Sequence, residues 1–422
     1  MMHGARYKTL MARVDTARQV PLLQFIAENA RFVGAGFLLT LLSSVGQTFF
    51  ISIFSGHIRT AFDLSHAAWG TTYAIATFGS AIVLIWAGGL TDILRTRILG
   101  ALVLLGLAGA ALFMARNTSV LGLGIALFLL RFMGQGMASH LASTAMARWF
   151  SAQRGRALAL SSLGFSLGEA VLPVTCVFLL TLYSWQSLWV VSALVAALSA
   201  PLLYWMLQYE RTPQDMATEA QSTGMQARQW RRAEALRHPL FWWMIPVMIG
   251  PPAFITAFFF QQVPYAEGKG WSHLVLVSAF PLYTVMTVTF TQIAGWIQDR
   301  FGLIRVLGFA QVPMVFAFLA FAAAPTASWL ILGLFFVALT SGTMPTWFRG
   351  FWAEFYGTQH LGAIKALATA IMVFGSAVGP VVTGAGLDLG VTMDQQYLWV
   401  SVYFIMSSAI LYAAILRYRR DL

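Results

Sequence analysis

The sequence is poor in charge. Only 10% of its 422 residues are Asp, Glu, Lys or Arg, against roughly a quarter in soluble domains. So few charges could not wet the exterior of a soluble chain this long, which excludes a soluble enzyme and a disordered polymer. Cysteine occurs once, at Cys176 within an apolar run, so neither an internal disulfide nor a cysteine-built metal site can form. No His/Asp/Glu group has the spacing of metal ligands, and no metal or other cofactor is expected. The sequence has no Gly-x4-Gly-Lys loop to cradle phosphates, which removes ATP as the energy source. Gly164-Phe-Ser166-Leu-Gly168 matches the letters of a Gly-x-Ser-x-Gly elbow, but it lies inside an apolar span and not at a strand-to-helix turn, and no enzymatic activity is expected. Nor is a cleaved leader expected. The first apolar stretch is too long for a signal-peptide core, and no small-residue cleavage site follows it.

Apolar residues are plentiful at 59%, with 14% aromatic and a mean hydropathy of +0.72. A helix crosses the hydrocarbon of a bilayer with about 20 mostly apolar residues. Twelve such stretches can be read along the chain, which predicts an all-α membrane protein. The polar intervals divide it into an N-terminal segment 1–31, a six-helix bundle 32–207, a linker 208–239, a second six-helix bundle 240–416 and a tail 417–422. The linker carries Arg211, Arg228, Arg231, Arg232 and Arg237, which read as a membrane-flanking basic loop rather than a nucleic-acid site.

Basic residues outnumber acids by 11, and their placement fixes an expected orientation. Of the 26 lysines and arginines, Arg59, Arg116 and Lys269 fall in loops on one side, and Arg131 and Arg349 fall within spans. The other 21 lie on the side of the two termini. Basic residues collect in cytoplasmic loops, so both termini are expected in the cytoplasm of a cell with an inner (plasma) membrane of bacterial type.

The two halves repeat each other at an offset of 207 residues. Gly88 and Asp92 return as Gly295 and Asp299, Met137 as Met344, Gly155 as Gly362, Leu160 as Leu367, Gly168 as Gly375, and Pro173 as Pro380. Repeats of this kind mark proteins that rock two halves around a site at mid-depth.

Two loops carry the most specific pattern. One reads Gly88-Gly-Leu-Thr-Asp92-Ile-Leu-Arg95-Thr-Arg97. The other reads Gly295-Trp-Ile-Gln-Asp299-Arg300-Phe-Gly302-Leu-Ile-Arg305. Together with Arg131-Phe-Met-Gly134-Gln135-Gly136 in the fourth span, they resemble the major facilitator superfamily over nearly the whole chain. The first loop departs from the family pattern at Ile93 and Arg95. The resemblance implies two pseudo-symmetric six-helix bundles and a conformational latch at Gly88, Asp92, Arg97, Gly295, Asp299 and Arg300. It also implies that the fourth-span arginine is tied to proton coupling. The stretch Arg148-Trp149-Phe150-Ser-Ala-Gln-Arg154-Gly155-Arg156, followed by Gly164, Gly168 and Pro173, is loosely similar to the monocarboxylate and oxalate/formate branch. The basic residues that branch often carries in the eighth span are absent.

A charge at the bilayer centre costs about 2.5–3.5 kcal/mol, so its presence needs a reason. Glu169 is the one acid deep in a span. At 1.5 Å per residue it and Arg131 reach a similar depth of roughly 18–20 Å on adjacent antiparallel helices. Both are expected to face a central cavity. Two roles fit them: Glu169 carries a proton while Arg131 favours its ionised form and binds an anion, or the two form a fixed structural ion pair. Uncharged polar residues fill out the candidate cavity: Gln135, Gln47, Tyr73, Gln261, Gln262, Tyr265, Tyr283, Thr287 and Trp347. Arg349 and Glu354 are a candidate gate. The expected function is proton-coupled symport of a small, carboxylate-like organic anion by a monomer in the lipid bilayer, with no nucleic-acid partner. Proton-driven antiport of a drug-like or cationic compound is the alternative, and a transport-inactive receptor or scaffold on the same fold is the alternative from another class.

Overall fold

A computed structural model of the chain describes residues 22–88, 90–150, 154–208, 224–357 and 361–419. Among these residues, twelve helices are long and apolar enough to cross a membrane: α1 (Leu23–Gly46), α2 (His66–Ala87), α3 (Thr96–Arg116), α4 (Val120–Met146), α5 (Arg156–Leu179), α6 (Trp185–Met206), α7 (Pro239–Phe260), α8 (His273–Gln298), α9 (Leu303–Ala323), α10 (Ala327–Tyr356), α11 (Leu367–Asp388) and α12 (Met393–Tyr418). Among the described residues there is no strand. Lipid offers no partner for backbone polar groups, and a helix satisfies them within its own segment. Odd-numbered helices leave the end where α1 begins, here called the near end, and even-numbered ones return from the far end. At the far end Ser65, Ser119, Ser184, Ser272 and Thr392 cap α2, α4, α6, α8 and α12. Each side-chain oxygen takes up a first-turn N–H that would otherwise be unpaired.

The halves are built alike. In the first, α1 packs on α5, α2 on α4 and α3 on α6; in the second, α7 packs on α11, α8 on α10 and α9 on α12. The repeated glycines explain one of these contacts. A Cβ at Gly168 would collide with the Ser44 side chain of α1, and one at Gly375 would lie 2.8 Å from the Ile249 carbonyl of α7. Each half thus closes its fifth helix onto its first through a glycine. Proline shapes the second half. Pro251 cannot donate to the carbonyl of Val247 one turn back, and the buried Gln311 side chain of α9 donates there instead. Helix α10 runs through Pro345 without interruption, whereas Pro281 follows a break after Val277.

Two helices of the first half are irregular at mid-depth. Helix α1 tightens at Ser44–Gly46 and breaks at Gln47, which is extended (φ −87°, ψ 155°), before resuming at Thr48. Facing it, α4 widens into a π-helix over Arg131–Ala138. Single π turns are rare and frequent at functional sites. The two irregularities touch through glycines: a Cβ at Gly46 would lie 2.8 Å from Gly134 Cα.

The halves meet through α2 with α11 and through α5 with α8, pairs that the internal repeat exchanges. The α2–α11 contact lies at the far end. The Asp388 carboxylate accepts the backbone N–H groups of His66 (3.0 Å) and Ala67 (2.7 Å), capping α2 from the other half. Gln262 donates to Ser52 Oγ at 2.6 Å. Trp69 stacks on Phe260 with centroids 5.3 Å apart. At the near end, linker residues Met225 and Trp230 are buried against α10, with Trp230 N–H donating to the Tyr356 carbonyl at 3.1 Å.

Candidate functional site

The irregular stretches of α1 and α4 open a cavity of about 170 Å³ between the halves. The first half lines it with Gln47, Thr48 and Phe49 from the α1 break, Arg131 and Gln135 from the π-helix, and Phe165 and Glu169 from α5. The second half contributes Ile255, Thr256 and Phe259 from α7, Tyr283 from α8 and Ser376 from α11. Five residues expected from the sequence therefore come together: Arg131, Glu169, Gln47, Gln135 and Tyr283.

Arg131 is 1% exposed. Its Nη1 donates to the Gly46 carbonyl at 3.2 Å and to Thr48 Oγ1 at 3.4 Å. The Gly46 carbonyl lies at the start of the α1 break, whose unpaired backbone gives a buried cation an acceptor. Tyr73 stands behind the arginine with its ring centroid 5.2 Å from the guanidinium carbon, and its hydroxyl is 2.6 Å from Thr48 Oγ1. Tyr73 supports the arginine and is not part of the cavity wall. The Nε–H of Arg131 is buried with no acceptor among the described residues, so the guanidinium keeps unused capacity to bind an anion.

Glu169 is buried on α5, and its Oε2 accepts from Thr284 Oγ1 of α8 at 3.3 Å. This bond crosses between the halves. No ion pair joins Glu169 to Arg131 among the described residues. The acid and the base share a cavity without a direct ion pair, which does not fit a fixed structural pair.

Thr284 was not among the residues expected here. Its helix neighbour Thr287, expected as a ligand, donates back to the Tyr283 carbonyl of its own helix. Only the position of Glu169 on the facing helix selects Thr284. Several other expected ligands are committed to packing. Gln261 donates to Thr383 Oγ1 at 3.3 Å and to the Pro380 carbonyl at 3.4 Å, tying α7 to α11. Gln262 belongs to the far-end seal, with its Oε1 3.1 Å from His273 Nε2. Tyr265 donates to the Phe321 carbonyl at 2.8 Å, and Trp347 to the Ala294 carbonyl at 3.1 Å.

Of the expected latch, Gly88 ends α2 against His140 of α4, and Gly295 faces open space. The Arg97 guanidinium lies over the Tyr204 ring at 5.4 Å, and Arg300 is exposed. The side chains of Asp92, Asp299 and the expected gate residue Arg349 lie outside the described residues, and Glu354 is exposed.

A second, larger cavity of about 650 Å³ adjoins the first. Its walls come from α7, α10 and α11 and hold no charged residue. Ile255 belongs to both cavities. The second cavity runs from there toward the near end.

The family profile described as Major Facilitator Superfamily matches residues 36–380. No curated protein sequence matches the chain. Among solved structures, a bacterial homolog of the human lysosomal transporter Spinster, inward-facing and unoccupied, is 15% identical with a TM-score of 0.69, covering 93% of this chain and 98% of that one. The D-xylose-proton symporter is 16% identical with a TM-score of 0.67, covering 90% and 97%. The human organic anion transporter TETRAN is 17% identical with a TM-score of 0.61, covering 93% and 100%. At these identities the likeness is one of fold.

Proposed function

The chain belongs to the major facilitator superfamily, a family of secondary transporters rather than enzymes, and from that premise we propose that it moves a small organic anion together with a proton. The observation that carries this reading is the shared cavity of Arg131 and Glu169, in which the two form no direct ion pair. Arg131 offers the anion, most simply a carboxylate, a charge-assisted hydrogen bond in a site shielded from water. Glu169 takes up the proton. Because it holds Thr284 of the opposite half, a change in its charge acts directly on the contact that must rearrange when the halves rock. The far-end seal and the near-end cavity correspond to an inward-facing state if the termini lie in the cytoplasm of the plasma membrane, as the basic residues favour. The fold also serves a proton symporter and an organic anion transporter. These likenesses agree with the reading, as does the loose similarity to the carboxylate branch, but none of them selects a substrate.

Proteoliposomes with an imposed pH gradient test the proposal. External acid should drive accumulation of a carboxylate. Glu169→Gln should abolish accumulation and leave exchange in place. Unchanged accumulation by Glu169→Gln would refute the coupling role. Substrate leaving against proton influx would favour the antiport reading, in which the unpaired Glu169 faces a cation.

A further inference from the structure

We propose that the transported anion is amphipathic, with its charged head at Arg131 and an apolar body in the adjoining cavity of the second half. The inference rests on the carboxylate reading above and extends it to the rest of the molecule carried. The polar cavity is about 170 Å³, below the roughly 300–1,000 Å³ of pockets that enclose drug-sized ligands. It holds a head group and little more. The neighbouring cavity is about 650 Å³, within that range.

Two helices carry one continuous lining from the first cavity to the second. On α7, Pro251 and Ile255 lie one turn apart, with Ile255 in both walls. On α11, Met372 and Ser376 are likewise one turn apart, the first in the apolar wall and the second in the polar one. Residues four apart share a helix face. The division of labour is therefore sharp. The first half supplies the charge through Arg131 and Glu169, and the second supplies a mainly apolar surface of proline, aromatic and methionine side chains that also holds the hydroxyls of Thr340, Ser341 and Thr369. Methionines at 248, 344 and 372 give that wall a deformable character, suited to apolar bodies of more than one shape. A hydrophilic anion such as a sugar acid would find the hydroxyls of Thr340, Ser341 and Thr369 as partners there, and most of its own hydroxyls would stay unpaired.

The test titrates the full-length protein in detergent with acetate, butyrate, hexanoate, octanoate and octan-1-ol. Affinity for the acids is expected to rise about twofold per methylene, against about fourfold for full burial, making octanoate on the order of 100-fold tighter than acetate. Met344→Gln should cut the octanoate-to-acetate ratio at least severalfold. Met372→Gln is the second variant should the first not fold. A flat series, with Arg131→Gln abolishing binding of every acid, would overturn the apolar subsite and leave the carboxylate reading standing. No binding of any acid, or binding indifferent to Arg131→Gln, would overturn both. Octan-1-ol binding as tightly as octanoate would make the cavity a lipid crevice and overturn the inference.

Discussion

Replacing Gly46 by alanine strikes at the contact that builds the site. The added Cβ would collide with the Leu130 carbonyl, and it would lie 2.8 Å from Gly134 Cα and 2.9 Å from the Gln135 nitrogen. All three are backbone atoms, so no flexible side chain can turn aside, and either the α1 break or the π-helix must shift. Overpacking of this kind costs about 1–3 kcal/mol. The shift also pulls the Gly46 carbonyl from Arg131 Nη1, a bond from a charged donor worth about 1.5–3 kcal/mol. The sum, roughly 2.5–6 kcal/mol, should appear as a clear fall in the unfolding temperature of the purified protein in detergent and as loss of uptake in proteoliposomes. Two glycines serve as controls. Gly109→Ala meets nothing within 4 Å and should be neutral or stabilising by up to about 1 kcal/mol. At Gly34 the nearest atom is the mobile Met206 Cε at 2.8 Å, which can swing away. A Gly46→Ala protein as stable as Gly109→Ala, with normal uptake, would refute the account of how α1 and α4 make the cavity.

Thr284→Val removes the donor to Glu169 Oε2 and should lower the accumulation ratio severalfold while leaving substrate binding within about twofold; Thr284→Ser should restore accumulation, and normal coupling in the valine variant would take Thr284 out of the mechanism. Asp388→Asn weakens the anionic cap that one half places on α2 of the other, worth about 1–2 kcal/mol. The far end should then open roughly 5–30 times more often. Labelling of a cysteine placed at Ser52, in a Cys176→Ser background, by an impermeant thiol reagent measures that opening, and an unchanged rate would dismiss Asp388 from the seal.

The parts of this molecule that follow from the solvent could be read from the sequence. Lipid forces long apolar helices, so twelve spans and two like halves emerge from hydropathy and the 207-residue repeat alone. The same expense of charge in lipid singled out Arg131 and Glu169, and both line the cavity. The break in α1 could not be read, because no proline marks it. It depends on Gly46 and Gly134 pressing together from helices far apart in sequence. The uncharged polar residues were ambiguous for a related reason. Gln261, Gln262, Tyr265 and Trp347 look like ligands in a list, yet each finds a partner on a neighbouring helix or segment. Which polar groups remain for a substrate is decided by tertiary contacts, and hydropathy does not record these. The apolar cavity was equally hidden, since Val247, Met344 and Met372 are indistinguishable in sequence from residues that face lipid or core.

The separation of Arg131 from Glu169 leads to a definite stoichiometry. Empty, the cavity holds one guanidinium and one carboxylate and has no net charge. Loaded with a monovalent anion and one proton, it again has none. With only one of the two on board it carries a net unit charge. Moving that charge through the low-dielectric middle of the protein adds about 2.5–3.5 kcal/mol, a population penalty of roughly 10²-fold. On the proposed reading, rocking is confined to the empty and the doubly loaded states, and this confinement would make the movement symport rather than leakage of either species. The same accounting explains why Glu169→Gln should exchange but not accumulate: with anion bound its cavity is neutral, but empty it retains the uncompensated charge of Arg131 and cannot return. Uptake by the unaltered protein should therefore be electroneutral. A potential of either sign, set with valinomycin and potassium at constant pH gradient, should leave the initial rate unchanged within about 20%, since each unit of net charge moved would respond to about 2.3 kcal/mol per 100 mV. A rate that rises with interior-negative potential would mean more than one proton per anion, and the pairing of one acid with one base would fail.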